Sequence, residues 1–273
     1  MQTLSVNGYD MAYLDVGRGT AATPPLVLVH GTLGDFRTWN AVLGPLSKQK
    51  RVISLSLRRF FPEHWDGVGN DYLMAQHVAD VIGFIEKLNV GPVDLVGHSR
   101  GGHIGFRVAQ ARPDLLRKAV LAEPGGDLEP SLQAASAPSG LAPVAAQMAS
   151  AVQNVRNGDI EAALKLFVDA IDGDGAWARW PAAPRQQLRD NIYTLLGQVG
   201  ENRKPFLKNE AEAIRTPTLL IGGGDTKGAL AVNWRVLAEH IPGARTAVIP
   251  GTRHWMFEQA PQEFCDIVLE FLK

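Results

Sequence analysis

Gly97-His98-Ser99-Arg100-Gly101 places a serine between two glycines in the pattern G-x-S-x-G. It follows the strand-like segment Val93-Asp94-Leu95-Val96 and precedes a segment of helical spacing. A strand that turns sharply into a helix at a serine needs small flanking residues. It holds the hydroxyl at a helix N-terminus, where free N–H groups favour a developing negative charge. That is the chemistry of a nucleophile. A bland reading, a glycine-rich turn that merely packs helix on strand, uses the glycines but leaves the serine without a task.

A serine hydroxyl needs a base, and the base needs an orienting acid. Two histidines lie well beyond the turn, His240 and His254. His240 falls at the end of a helical stretch just before Ile241-Pro242, where a polar residue suits the last turn. His254 follows the strand-like run Ala244–Ile249 across Pro250-Gly251-Thr252-Arg253, which predicts a loop at a strand's carboxyl end. It is the expected general base. For the acid, Asp225 follows Leu219-Leu220-Ile221 through Gly222-Gly223-Gly224, a run flexible enough to bring a short carboxylate inward. Glu123, at the end of the strand Lys118–Ala122, is the competing acid. Its other reading is a structural partner for Arg100, since a buried guanidinium requires one.

Two backbone N–H groups must face the oxyanion. Arg100, following the serine, supplies one by position, and its side chain is expected either to pair with Glu123 or to bind an acidic substrate group. Thr32 in His30-Gly31-Thr32 supplies the second, with Leu33 next in line. His30 reads as a structural residue beneath that loop.

These residues must be positioned by alternating strands and helices. An Asn7-Gly8 hairpin opens the chain, Leu26–Val29 is short and apolar on both faces, as a buried parallel strand should be, and Val52–Leu57 is the next strand. Amphipathic stretches follow them, the strongest running from about Asp71 to Leu88. Alternation of this kind predicts βαβ crossovers, a mostly parallel sheet and helices on both faces. Between Gly126 and Arg215 no strand pattern appears, only helical spacing at 144–155, 160–171 and 186–199. The expected division is a core of residues 1–126 and 215–273 and a helical lid of residues 127–214. Leu141, Val144, Met148, Leu164, Phe167 and Trp177 are its apolar candidates.

Composition removes several alternatives. With 27 Lys+Arg against 28 Asp+Glu and a net charge of −1, the chain has no electrostatic footprint for nucleic acid or an anionic membrane. One cysteine, Cys265, excludes an internal disulfide framework. His98 and His103 lack a carboxylate at metal spacing, so neither a metal nor another cofactor is expected. The N-terminal residues carry no basic and apolar leader pattern, which makes cytoplasmic the default location. The expected partner is a small acyl substrate. Assembly into a homo-oligomer is left open.

Taken together, the chain resembles the α/β-hydrolase superfamily over essentially its whole length. The resemblance rests on His30-Gly31, on Gly97-His98-Ser99-Arg100-Gly101-Gly102, on Gly223-Gly224-Asp225 and on Gly251-Thr252-Arg253-His254, in that order. It implies an eight-stranded, mostly parallel sheet and a lid inserted after the sixth strand, with the pocket between lid and core. It also implies an acyl-enzyme hydrolase for a small ester, thioester, lactone or activated carbon–carbon bond. The resemblance favours Asp225 as acid, although some members carry it after the sixth strand. A cofactor-free haloperoxidase or perhydrolase would use the same triad, and a ligand-binding protein could keep the fold without turnover. Leu57-Arg58-Arg59-Phe60-Phe61-Pro62 stands where many members carry Asp-x-x-Gly-x-Gly-x-Ser.

Overall fold

A computed structural model describes residues 1–19, 23–133, 141–199 and 201–273, and, of these, leaves the side chains of 133 and 141–146 undescribed. The lid candidates Leu141 and Val144 therefore lie outside the described side chains. Eight strands form one sheet: β1 (Gln2–Val6), β2 (Tyr9–Val16), β3 (Leu26–Val29), β4 (Val52–Leu55), β5 (Val93–His98), β6 (Leu116–Ala122), β7 (Thr218–Gly223) and β8 (Arg245–Ile249). Their spatial order is β1-β2-β4-β3-β5-β6-β7-β8. β1 and β2 form the antiparallel edge, β2 runs antiparallel to β4, and every other pairing is parallel. Asn7 and Gly8 take φ of 51° and 74°, the left-handed pair that a two-residue hairpin turn demands.

The central strands are apolar on both faces because both faces are covered. Val27 and Val29 point to one side with Leu95 and Leu121, where Val81, Phe84, Ile104 and Val108 of the covering helices pack. Leu26 and Leu28 point to the other with Val96 and Val120, against Val42, Leu46, Phe264 and Val268. The alternation is the period-two geometry of a strand. Those helices are α1 (Asn40–Ser47), α2 (Met74–Leu88), α3 (Arg100–Ala111) and, near the C-terminus, a thirteenth (Pro261–Leu272).

Between β6 and β7 lies a helical insert: α4 (Pro130–Gln133), α5 (Leu141–Arg156), α6 (Ile160–Asp172), α7 (Ala176–Arg179), α8 (Ala182–Asp190), α9 (Thr194–Val199) and α10 (Lys208–Ala213). Asp159 caps α6, its carboxylate accepting from the Ala162 N–H, as an N-cap aspartate should. Leu164, Phe167 and Trp177 of the insert are buried in the same apolar cluster as α1 and the C-terminal helix. The remaining helices are α11 (Gly228–His240), α12 (Met256–Gln259) and α13, the C-terminal one already given. No described helix is long and apolar enough to cross a membrane.

Candidate active site

The turn after β5 is built by exclusion of side chains. A Cβ on Gly97 would stand 2.2 Å from the Gly101 carbonyl oxygen, and one on Gly101 would stand 2.1 Å from the Val29 carbonyl oxygen. Neither position tolerates any other residue. Ser99 between them has φ +52° and ψ −112°, a conformation that an L-residue with a side chain holds only when its surroundings over-determine it. They do so here. The Ser99 N–H donates to the Ala122 carbonyl at 3.0 Å, and its own carbonyl accepts from Gly125 at 2.9 Å and His103 at 3.0 Å. Ser99 caps α3 and stays partly exposed. Its hydroxyl makes no hydrogen bond to a described residue.

His254 follows β8 on a loop and is 2% exposed. Its Nδ1 lies 2.7 Å from Glu123 Oε2, and Glu123 is wholly buried. The second carboxylate oxygen, Oε1, accepts the Gly223 N–H at 2.7 Å. Glu123 itself has φ +41°, fixed by its N–H on the Ile221 carbonyl at 3.0 Å. This arrangement corrects the expectation that Asp225 faces the histidine. Asp225 is exposed, and its carboxylate makes no hydrogen bond or ion pair among the described residues. The reason is visible in the glycine run. A Cβ on Gly222 would meet the Trp234 indole at 2.3 Å, and one on Gly223 the carbonyls of Thr252 and Arg253 at 2.6 Å. The glycines admit a ring and two carbonyls, and they offer an N–H to Glu123. Beyond them the Gly224 and Asp225 N–H groups bond to Ile249 and Thr252 carbonyls, so the chain follows the end of β8 and leaves Asp225 outside.

Arg100 is wholly buried, as expected, but its partner is not Glu123. Its guanidinium forks onto Glu201, with Nη1–Oε2 and Nη2–Oε1 both 2.8 Å, and also donates to His77 Nδ1 and the Tyr72 carbonyl. Glu201 is on the return segment of the insert, 101 residues away in sequence, and also holds Arg203 at 3.0 Å. Burial opposes the charge on Glu201, yet the two arginines hold its carboxyl below the ordinary range. The Arg100 side chain is thus engaged inside the protein and does not present a free guanidinium to a substrate. Its backbone N–H, on the first residue of α3, has no intrahelical acceptor. Thr32 lies on the other side, after β3. A Cβ on Gly31 would stand 3.0 Å from Ser99 Cβ, so this loop presses directly on the elbow.

Four other histidines support these loops. His30 accepts the Leu57 N–H on Nε2 and contacts the Gly31 carbonyl through Nδ1 at 2.7 Å, the structural role expected of it. His98 Nε2 reaches the His254 carbonyl at 2.9 Å and ties the turn after β5 to the His254 loop. His103 contacts the Gly125 carbonyl, and His77 the Arg58 carbonyl. Burial holds His30 down to about 4, and it holds His77, His98 and His103 well below 6.5. The bond from His98 and the partnership of Glu201 escape sequence reading, since neither follows from spacing. Burial pushes the Cys265 thiol up to about 12, consistent with an inert core residue. Among the described residues no group of three or more His, Cys, Asp or Glu could hold a metal ion. A groove of about 540 Å³ lined by Leu73, Met74, Val78 and Arg107 touches none of Ser99, Glu123 and His254.

The sequence profile described as "Alpha/beta hydrolase family" matches residues 26–267, and the chain belongs to that family. It is 25% identical over 93% of its length, and 82% of the relative's, to an sn-1-specific diacylglycerol lipase of Mus musculus. Two solved structures share the fold. One is an enol-lactonase from Burkholderia xenovorans LB400, with 22% identity, 99% of both chains covered and a TM-score of 0.77. The other is an esterase from Rhodococcus sp. ECU1013, with 23% identity, 100% of this chain and 98% of that one covered, and the same TM-score.

Proposed function

We propose that Ser99, His254 and Glu123 form an acyl-transfer triad and that the protein hydrolyses a small carboxylic ester, thioester, lactone or activated carbon–carbon bond. The observation that carries this reading is the buried Nδ1–Oε2 contact of 2.7 Å on the loop after β8, a loop that His98, the neighbour of Ser99, holds through the His254 carbonyl at 2.9 Å. With Nδ1–H donated to Glu123, the His254 tautomer leaves Nε2 free to accept a proton. Ser99 Oγ attacks the carbonyl carbon as its proton passes to Nε2, and the carbonyl electron pair moves onto oxygen. The N–H groups of Arg100 and Thr32 are the donors for that oxyanion. The intermediate collapses, the imidazolium returns the proton to the leaving group, and the acyl group stays on Ser99. Water then repeats the sequence, with its proton on Nε2, and releases the acid and free serine. Glu123 remains a carboxylate throughout and stabilises the imidazolium. Catalytic hydrogen bonds commonly tighten only around bound substrate, which accords with a Ser99 hydroxyl that bonds to no described residue.

The helical insert, in this reading, covers the pocket and sets the size of the acyl group. Trp180 on the insert packs edge-on against Trp255 at 4.5 Å, beside the base. The names of the relatives, a lipase, an esterase and a lactonase, support an ester-type substrate.

A fluorophosphonate probe tests the nucleophile. We expect one adduct, on Ser99, absent from Ser99→Ala, together with turnover on a panel of short esters. An adduct elsewhere, or ester turnover undiminished in Ser99→Ala, contradicts the triad. Labelling of Ser99 with no turnover on any ester, thioester or lactone contradicts the hydrolase.

A further inference from the structure

The loop that carries Thr32 and Leu33 is not held by the core alone. Leu33 has φ +60°, a left-handed conformation for a branched side chain, within a turn closed by the Gly34 N–H on the Gly31 carbonyl at 3.1 Å. Such a backbone costs about 1–3 kcal/mol and relaxes unless neighbours hold it. The neighbours that hold it come from the insert. Asn191, 2% exposed, donates from Nδ2 to the Leu33 carbonyl at 3.3 Å and to Asp35 Oδ2 at 2.7 Å. Its Oδ1 accepts the Phe61 N–H at 2.7 Å. Arg37 bridges Asp35 and Asp190 at 2.7 and 2.8 Å. Gln198, on α9, donates from Nε2 to the Thr32 hydroxyl at 2.8 Å.

We infer that Asn191 and Gln198 are positioning residues of the insert that hold the 31–35 loop in its oxyanion-binding shape. The insert then does more than wall the pocket. It sets the direction of the N–H groups that receive the developing charge. This rests on the triad reading above, because it assigns the loop a task in that reaction.

The loop is over-determined. Thr32 offers a hydroxyl whose hydrogen bond to Gln198 fixes the side-chain rotamer and, through it, the local backbone. Leu33 offers a carbonyl whose hydrogen bond to Asn191 fixes the peptide plane that follows it. Remove these and the strained turn has an escape, in which the peptide planes rotate and the N–H vectors swing away. Ground-state substrate contacts elsewhere in the pocket are untouched, so the loss falls on the transition state.

The test uses Gln198, which is only partly buried, so that folding is not at stake. Gln198→Met and Thr32→Val, made singly and together in the full chain, are measured with a short ester for kcat and KM separately, beside thermal unfolding. We expect each single variant to lose about tenfold in kcat with KM unchanged, less than the 10²–10³ lost when an oxyanion donor is deleted outright. The double variant should be no worse than either single one, because both break the same bond. Losses that multiply in the double variant, a change confined to KM, or kcat unaffected by Gln198→Met would each overturn the inference. Ser99→Ala in the same assay separates the two readings. If it abolishes turnover while Gln198→Met is silent, the triad stands and the positioning role falls. If it leaves turnover intact, the triad itself has failed.

Discussion

Strands β6 and β7 lie side by side in the sheet, and a short loop after each carries an acidic residue near glycine. After β6, Glu123 turns into the protein, is wholly buried, and divides its two oxygens between His254 Nδ1 and the Gly223 N–H. After β7, the chain passes three glycines and delivers Asp225 to the surface. The difference teaches what a glycine run does. At Gly222 and Gly223 the missing side chains make room for Trp234 and for the carbonyls of residues 252 and 253. They do not bend the chain to bring the next carboxylate inward. The β7 loop still serves the site, but through a backbone N–H that satisfies the acid of its neighbour.

The largest expected consequence of this asymmetry is kinetic. Glu123→Gln should lower kcat about 10⁴-fold with the fold retained, because an amide offers His254 the wrong hydrogen-bonding partner and tautomer. Progress curves on a short ester measure it, and a loss of less than tenfold would break the contrast. Next comes the carboxylate that does pair with Arg100. Glu201→Gln should destabilise the protein by about 3–5 kcal/mol in urea unfolding, since it leaves a wholly buried guanidinium without its counter-charge. An effect below about 1 kcal/mol would mean that Arg100 finds compensation elsewhere. A smaller effect concerns acid. His30, His77, His98 and His103 stay neutral when folded because burial disfavours their charge, whereas in the unfolded chain they take up protons below about 6.5. The unfolded state then binds more protons. Stability is therefore full above that pH and falls as pH drops below about 6.5. Unfolding midpoints between pH 8 and 4.5 measure this, and a flat profile would contradict the neutral, buried state. The smallest effect belongs to Asp225→Asn, which should change kcat by less than about twofold.

Much of the fold was legible because its signals are local. Leu26–Val29 is apolar on both faces, as a buried parallel strand must be, and the helices between strands carry one apolar stripe. Gly97 and Gly101 were legible for a steric reason that holds in any chain, since no side chain fits either place. The place of His254, on the loop after the last strand, was legible too. The carboxylate that meets His254 was not legible. Asp225 and Glu123 each follow a strand, and the packing of Trp234 with the Gly224 and Asp225 N–H bonds to the end of β8 sets which carboxylate turns inward. The pairing of Arg100 was misread for a related cause. The expected need for a partner was right, but Glu201 arrives from the far end of the insert, and no periodicity announces it. Asn191 and Gln198 also act across more than 150 residues of sequence.

The central claim is that the proton on His254 Nδ1 is shared with Glu123. Proton NMR of the full chain, with histidine ring nitrogens labelled, observes that hydrogen bond directly. We expect a strongly downfield Nδ1–H resonance assigned to His254, unchanged in Asp225→Asn and lost in Glu123→Gln. A resonance that survives Glu123→Gln and disappears in Asp225→Asn would contradict the account.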